Sequence, residues 1–484
     1  MMMYLICCLY HTCMYIYLQA FVSILVSSVF FTFFFSINKS SIHTDSHGHA
    51  AHSYCRSIFH LPSSIFHLPG LTISNLALDQ KQMCWWIILL AIIAPTLSHK
   101  SPVVIIPGLG GSTLEAKLQN RPAQRDCTTE SEYYTIWASI VQGTTRYACF
   151  RNNIQLYLNQ STPSGLSNFT GVQIRPRDFG GTGGIEYSNA GTIDEPKIAY
   201  MHALVKSLVA RGYKRSISIR AATNDFRSVG LRATNEYEYA RLKWLIEDTQ
   251  NLNNGSKVHL LSHSQGGPLT NLFLTTYVSS SWKAQYIASH IMLSAPLLGS
   301  SVSIYAAISG PSYDWIPQFL PNMVVPLIRT FVSILWMWPK VGKQDVWGNE
   351  TVFVQTPLKN YTLKNLDELT HDIPNASILF DKWDEVQNAT AHSADDPHVK
   401  VLCIFANDTK TKLSISTASN FASKGKTLQN TWGDGTVNLR SLKACSCWND
   451  VEVREIQFGG SLSAHTEIAQ DKNVIEMVLD WLDA

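Results

Sequence analysis

Residues 257–278 constrain this 484-residue chain more than any other stretch. Lys257-Val258-His259-Leu260-Leu261 has the composition of a short buried strand. From Gly266 to Val278 the apolar residues Leu269, Leu272 and Phe273 recur at helical spacing. Between the two stands Ser262-His263-Ser264-Gln265-Gly266. A serine on so tight a strand-to-helix turn is thrust out of the chain, with its hydroxyl exposed and the next backbone N–H free to face an anion. Both flanks must be small, because strand and helix approach closely there. Gly266 meets that need, and Ser262 stands where the Gly-x-Ser-x-Gly pattern has its first glycine. The same pentapeptide also suits a polar helix start capped by Ser262 or Ser264. Partners must decide.

Two partners follow in the order Ser, Asp, His that such a turn requires. Asp434 lies in Trp432-Gly433-Asp434-Gly435-Thr436-Val437-Asn438, where flanking glycines let the backbone turn and leave the carboxylate open to an imidazole. Without the serine it would read as a plain Asp-Gly turn. His465 is the single histidine between His398 and the C-terminus. Upstream, the strand-like Val103-Val104-Ile105-Ile106 runs into Pro107-Gly108-Leu109-Gly110-Gly111-Ser112. That loop can give one backbone N–H to a tetrahedral intermediate, read here as Leu109, with Gln265 giving the other. The loop lacks the Gly-Lys-Ser/Thr ending of a phosphate-binding loop. Ser264 as nucleophile, Asp434 as acid and His465 as base predict acyl cleavage or transfer.

The stretch from Pro107 to Leu118 resembles the opening motif of the lecithin:cholesterol acyltransferase family, and most closely its lysosomal phospholipase A2 (1-O-acylceramide synthase) branch. Tyr134-Thr135-Ile136-Trp137 after Cys127, Asp225-Phe226-Arg227, Val354-Gln355-Thr356-Pro357 with Asn360-Tyr361-Thr362, and Gly433 to Leu439 carry the likeness further. It covers about residues 101 to 482. The resemblance implies an α/β-hydrolase fold with a cap domain and a small disulfide-stapled membrane-binding subdomain. It implies hydrolysis of glycerophospholipid acyl esters, with transfer to water or to a lipophilic alcohol such as ceramide or a sterol. Ser264, Asp434 and His465 fall on the family's triad, and no cofactor or metal is expected. The expected partners are a phospholipid membrane or lipoprotein surface and a lipid acyl acceptor, for a monomeric enzyme. A second disulfide, Cys403 with Cys445, is likewise implied, leaving Cys447 outside it or competing for Cys403. Leu109 stands where the lysosomal enzyme has Asp and the plasma enzyme Cys, which leaves a backbone donor intact. Gln265-Gly266-Gly267 replaces a hydrophobic residue followed by one glycine. Alternatives on the same fold are a neutral-lipid or carboxyl esterase and a catalytically inactive lipid-binding homologue.

A composition of 45% hydrophobic and 15% charged residues with net charge +2 allows a large core and gives no basis for nucleic-acid binding. Neither paired Cys motifs nor His-Glu-x-x-His occur, so no metal site is expected. Cys127 and Cys149 bracket a loop rich in Tyr133, Tyr134, Ile136, Trp137, Ile140 and Val141. Stapled by a disulfide, it reads either as an aromatic membrane-docking loop or as a piece of core. Asn-x-Ser/Thr sequons begin at Asn159, Asn168, Asn254, Asn349, Asn360, Asn375, Asn388 and Asn407. They point to the secretory route, to the lysosomal lumen or outside the cell. Met83 to Ala94, preceded by Lys81 and followed by Thr96 and Ser98, reads as a signal peptide. Met14 to Phe35 is long enough to span a membrane. Residues 1–82 therefore read either as an over-extended start or as a signal anchor, and residues 1–98 are expected to have low order.

The chain then divides into 99–126, starting the sheet; 127–160, the stapled subdomain; and 161–299, the core, with helices at Pro196 to Arg211 and Asn235 to Thr249. Phe179-Gly180-Gly181-Thr182-Gly183-Gly184 reads as a flexible loop, near which the family places a lid. Residues 300–399, with Trp315, Trp336, Trp338 and Trp347, form the expected cap. Residues 400–484 return to the sheet at Lys400 to Phe405 and carry Asp434 and His465.

Overall fold

The computed structural model describes residues 100–139, 146–188, 198–310, 321–342, 345–421 and 424–484. The signal-like run, the possible anchor at Met14 to Phe35, Ile140, Val141, Trp315 and the start of the helix expected at Pro196 lie outside the described residues. His99–Ala484 forms one compact unit. No helix among the described residues is long and apolar enough to cross a membrane.

Six short strands rich in Val, Ile and Leu build the centre. Their order across the sheet is Val451–Ile456, Val401–Ala406, Ile287–Leu293, Val258–His263, Val103–Ile106, Ile219–Ala221. Every pairing is parallel. The four inner strands are buried almost throughout, as parallel strands covered on both faces must be. From Val103–Ile106 the chain first builds outward to Ile219–Ala221, then returns to place Val258–His263 on the other side. This reversal opens a crevice at the carboxyl ends of those two strands, where open α/β sheets bind ligands. Pro107–Gly111 and Ser264 both sit there. Topology alone brings the two sequence motifs together.

The helix expected after Ser264 is α-helical over Gly266–Leu272 and widens into a π turn over Phe273–Tyr277. The other predicted helices span His202–Ala210 and Arg232–Leu252. Leu114–Leu118, Ser131–Trp137 and Val172–Pro176 form a separate three-stranded antiparallel sheet. The bridge Cys127–Cys149 staples that region, Cys403–Cys445 ties the sheet to a later turn, and Cys447 is exposed outside both.

Of the six residues read in the stapled loop, Ile140 and Val141 lie outside the described residues, and none of Tyr133, Tyr134, Ile136 and Trp137 is freely exposed. Ile136 is fully buried in the main apolar cluster. Tyr134 is half-buried and its hydroxyl accepts from Asn153 Nδ2 (3.1 Å). Trp137 donates from Nε1 to the Gly110 carbonyl (2.9 Å), and its ring lies 5.3 Å from that of Phe226. The half-buried Tyr133 ring is covered by the Arg175 guanidinium at 3.5 Å. The segment is a strand, Ser131–Trp137, paired with Leu114–Leu118, which composition could not distinguish from a loop.

Trp336, Trp338 and Trp347, expected in a cap, are fully buried in the same cluster and serve as core. A four-stranded sheet, in the order Asn360–Tyr361, Val354–Gln355, Thr409–Ser416, Lys426–Gly433, supports this side and delivers the chain to Asp434.

Candidate active site

Ser264 has φ of +51°, the left-handed strain expected of a side chain thrust from a tight turn. Its backbone is clamped: Ser264 N–H donates to Leu293 O (2.9 Å) and Gly267 N–H to Ser264 O (2.8 Å). A Cβ on Gly266 would stand 2.4 Å from Ile106 O, so only glycine lets the helix approach the neighbouring strand. Gly266→Val is expected to destabilise the fold by about 3 kcal/mol or more, a loss readable by urea unfolding.

The serine in place of the first glycine has a local reason. Ser262 Oγ lies 2.8 Å from His290 Nε2 on the adjacent strand and 3.3 Å from Ile291 O. The buried hydroxyl has its hydrogen-bond partners, so serine is accommodated where the pattern has glycine.

The three residues singled out in sequence meet in one row. His465 Nε2 lies 2.8 Å from Ser264 Oγ, and His465 Nδ1 lies 2.7 Å from Asp434 Oδ2. Asp434 is fully buried, and its other oxygen accepts the N–H groups of Thr436 (3.0 Å) and Val437 (2.6 Å). A buried carboxylate so satisfied can only accept, which places the histidine proton on Nδ1 and leaves Nε2 to accept from the serine. The main chains are tied as well, His465 N–H donating to Asp434 O (3.0 Å).

Leu109, Ser264, Met337, Val437 and His465 line a cleft of about 200 Å³ at the sheet's carboxyl edge. The backbone N–H groups of Leu109 and Gln265 are engaged by no other group among the described residues. The Gln265 side chain turns away and donates to Ser333 O (3.3 Å). Two buried residues given no role in the sequence reading adjoin this row. Tyr200 Oη lies 2.7 Å from His263 Nδ1 and accepts from Gly108 N–H (3.0 Å). His263 Nε2 lies 2.8 Å from the His465 carbonyl. The adjacency of His263 to Ser264 was visible; its partners, 63 and 202 residues away, were not.

Three histidines of the sheet are held neutral. Burial pushes His263 down to about 3, helped by the neighbouring His465; burial alone takes His290 to about 3, and burial with Lys400 takes His259 to about 4. In each case the folded value lies below the ordinary 6.5, so below that pH the unfolded chain binds protons the folded one refuses. Stability is full above 6.5 and falls as the pH drops toward 4 and 3. Glu238 works the other way, since burial raises it to about 7 and acidification relieves its cost. At about 1–2 kcal/mol per group by pH 5, three histidines outweigh one glutamate. The melting temperature is therefore expected to fall between pH 7 and pH 5, as a calorimetric pH series would show.

Comparison with known proteins gives the chain's relatives. A family model described as lecithin:cholesterol acyltransferase matches residues 133–385. A Homo sapiens protein named lysosomal phospholipase A and acyltransferase is 31% identical over 381 residues, covering 76% of this chain and 87% of that protein. A Gallus gallus phosphatidylcholine-sterol acyltransferase is 30% identical over 369 residues, covering 75% and 85%. Among solved structures, the Tle4–Tli4 complex is similar at a TM-score of 0.45 and 13% identity, over 78% of this chain and 97% of that one. On the family match and the human relative together, the chain belongs to the lecithin:cholesterol acyltransferase family.

Proposed function

We propose that this chain is a serine phospholipase A and O-acyltransferase, which cleaves glycerophospholipid acyl esters and passes the acyl group to water or a lipophilic alcohol such as ceramide. The observation that carries this reading is the hydrogen-bonded row Ser264–His465–Asp434 opening on the cleft. Asp434 holds the Nδ1–H tautomer, so Nε2 takes the Ser264 proton as Oγ attacks the ester carbon. The resulting oxyanion accepts from the N–H groups of Leu109 and Gln265, a contribution of about 3 kcal/mol per donor in comparable sites. Collapse expels the lysophospholipid alkoxide, which takes the proton from Nε2 and leaves acyl-Ser264. Water or an alcohol then attacks the acyl carbon, giving its proton to Nε2, and Ser264 leaves with that proton restored.

The names of the relatives support the substrate class: phospholipase A and acyltransferase for the human protein, phosphatidylcholine-sterol acyltransferase for the chicken one. Two disulfides, the sequons and the signal-like run support a luminal or secreted glycoprotein working at a phospholipid membrane or lipoprotein surface. The test is fatty acid release from phosphatidylcholine liposomes, with and without N-acetylsphingosine, at mildly acidic and neutral pH. Release together with O-acylated N-acetylsphingosine is the expected result. Turnover of dispersed short esters without any release from liposomes would replace this reading with a carboxyl esterase. No turnover of either would leave a lipid-binding role.

A further inference from the structure

We propose that Tyr200 and His263 are positioning residues of this reaction, forming a hydrogen-bond line that holds the loop carrying the Leu109 N–H in register with the main chain of His465. The proposal rests on the acyl-transfer reading of the site and adds to it what keeps its two halves aligned.

The line runs Gly108 N to Tyr200 Oη (3.0 Å), Tyr200 Oη to His263 Nδ1 (2.7 Å), His263 Nε2 to His465 O (2.8 Å). Its two ends fix its sense. A backbone N–H at Gly108 can only donate, and a carbonyl at His465 can only accept. The Tyr200 oxygen therefore accepts from Gly108 and gives its own proton to Nδ1, while His263 Nε2–H donates to His465. One arrangement of protons satisfies every member, and it requires a neutral His263. Burial, with His465 nearby, pushes that imidazole down to about 3, favouring the neutral form the geometry requires.

Why the loop needs such a hold follows from its glycines. A Cβ on Gly108 would lie 2.7 Å from Ser264 Cβ, so the residue must be glycine for the loop to reach the serine. Glycine also makes that joint loose, immediately before the N–H that must point at the oxyanion. The bond from Gly108 N–H to Tyr200 takes the looseness away. Gly111 then wraps the same ring, where a Cβ would meet Tyr200 Cε1 at 2.6 Å. At the other end, His465 has its N–H on Asp434 O and its carbonyl on His263, so its main chain is held on both sides. Asp434 aims the imidazole at Ser264, and the backbone beneath it is fixed as well. Donors and base thus keep their spacing while charge develops, the condition under which preorganised dipoles stabilise a transition state.

A buried tyrosine and histidine could serve packing alone, and the two roles part company in kinetics. Tyr200→Phe removes one oxygen, leaving Gly108 N–H and His263 Nδ1 unpaired with little change of shape. With a dispersed short-chain p-nitrophenyl ester, the expected result is a fall in kcat of about 10- to 100-fold with KM within about threefold. A trifluoromethyl ketone of the same chain length adds Ser264 Oγ to its carbonyl, and the adduct bears the oxyanion. Its affinity is expected to weaken by the same factor as kcat/KM, while a non-reacting alcohol of that length binds as before. His263→Gln, which keeps an acceptor and a donor, is expected to retain more of kcat than His263→Leu. Unchanged kcat and unchanged ketone affinity in folded Tyr200→Phe, with only a lower melting temperature, would overturn the proposal. So would a fall in kcat without loss of ketone affinity. Failure of the unaltered protein to turn over the ester or label at Ser264 would instead overturn the acyl-transfer reading on which the line depends.

Discussion

Ser264→Ala is expected to lower fatty acid release from phosphatidylcholine liposomes by about 10⁴-fold or more, leaving the melting temperature within a few degrees of the unaltered protein. The size follows from the division of labour. Removing Oγ removes the bond that forms, so no acyl-enzyme can accumulate and His465 has no hydroxyl to deprotonate. What remains is the cleft and the two backbone donors, which by themselves leave a modest rate over water. Alanine at φ +51° is as strained as serine, and Ser264 Oγ is bonded to His465 rather than to the core. Stability therefore has little to lose. A matching release rate in the variant would mean that another residue carries the reaction.

The second large effect is expected from Asp434→Asn, a loss of about 10⁴-fold in turnover with the protein still folded. Asp434 Oδ1 accepts two backbone N–H groups, and its other oxygen faces His465 Nδ1. An amide must keep its oxygen toward Thr436 and Val437, which turns its NH₂ toward the imidazole. The histidine then carries its proton on Nε2, facing Ser264 with a donor where an acceptor is needed. Because the tautomer is wrong rather than absent, the loss is expected to ease at alkaline pH, where hydroxide can take the Ser264 proton in place of Nε2. A pH–rate profile of the variant beside the unaltered enzyme measures this. An unaltered profile would show that Asp434 does not orient His465.

How much of this was legible in the chain differs from part to part. Ser264, Asp434 and His465 could be read because each announces itself locally: a strand-to-helix turn, a carboxylate between glycines, a lone late histidine. The order of the three then left little freedom. Leu109 and Gln265 were read from the glycine-rich loop and the turn, and the parallel pairing of the two strands that lead into them brings that loop and that turn to the same edge of the sheet. Tyr200 and His263 were not. Nothing about Tyr200 marks it in the sequence, since its role exists only once the reversal of the sheet brings Gly108, His263 and His465 around it. Tyr133, Tyr134, Ile136 and Trp137 left two readings open for a related reason. Aromatic residues between two cysteines have the same composition in a docking loop and in a paired strand, and only the pairing with Leu114–Leu118 decides which side chains stay exposed. Ser262 looked like a defect until His290 appeared across the sheet.

The central claim, that Ser264 is the acylated nucleophile, is tested most directly by intact-protein and peptide mass spectrometry after treating the folded protein with a fluorophosphonate. The account predicts one stoichiometric adduct, on the peptide containing Ser264, absent in Ser264→Ala and slowed in Asp434→Asn. No adduct on folded protein, or an adduct on a different residue, would contradict it.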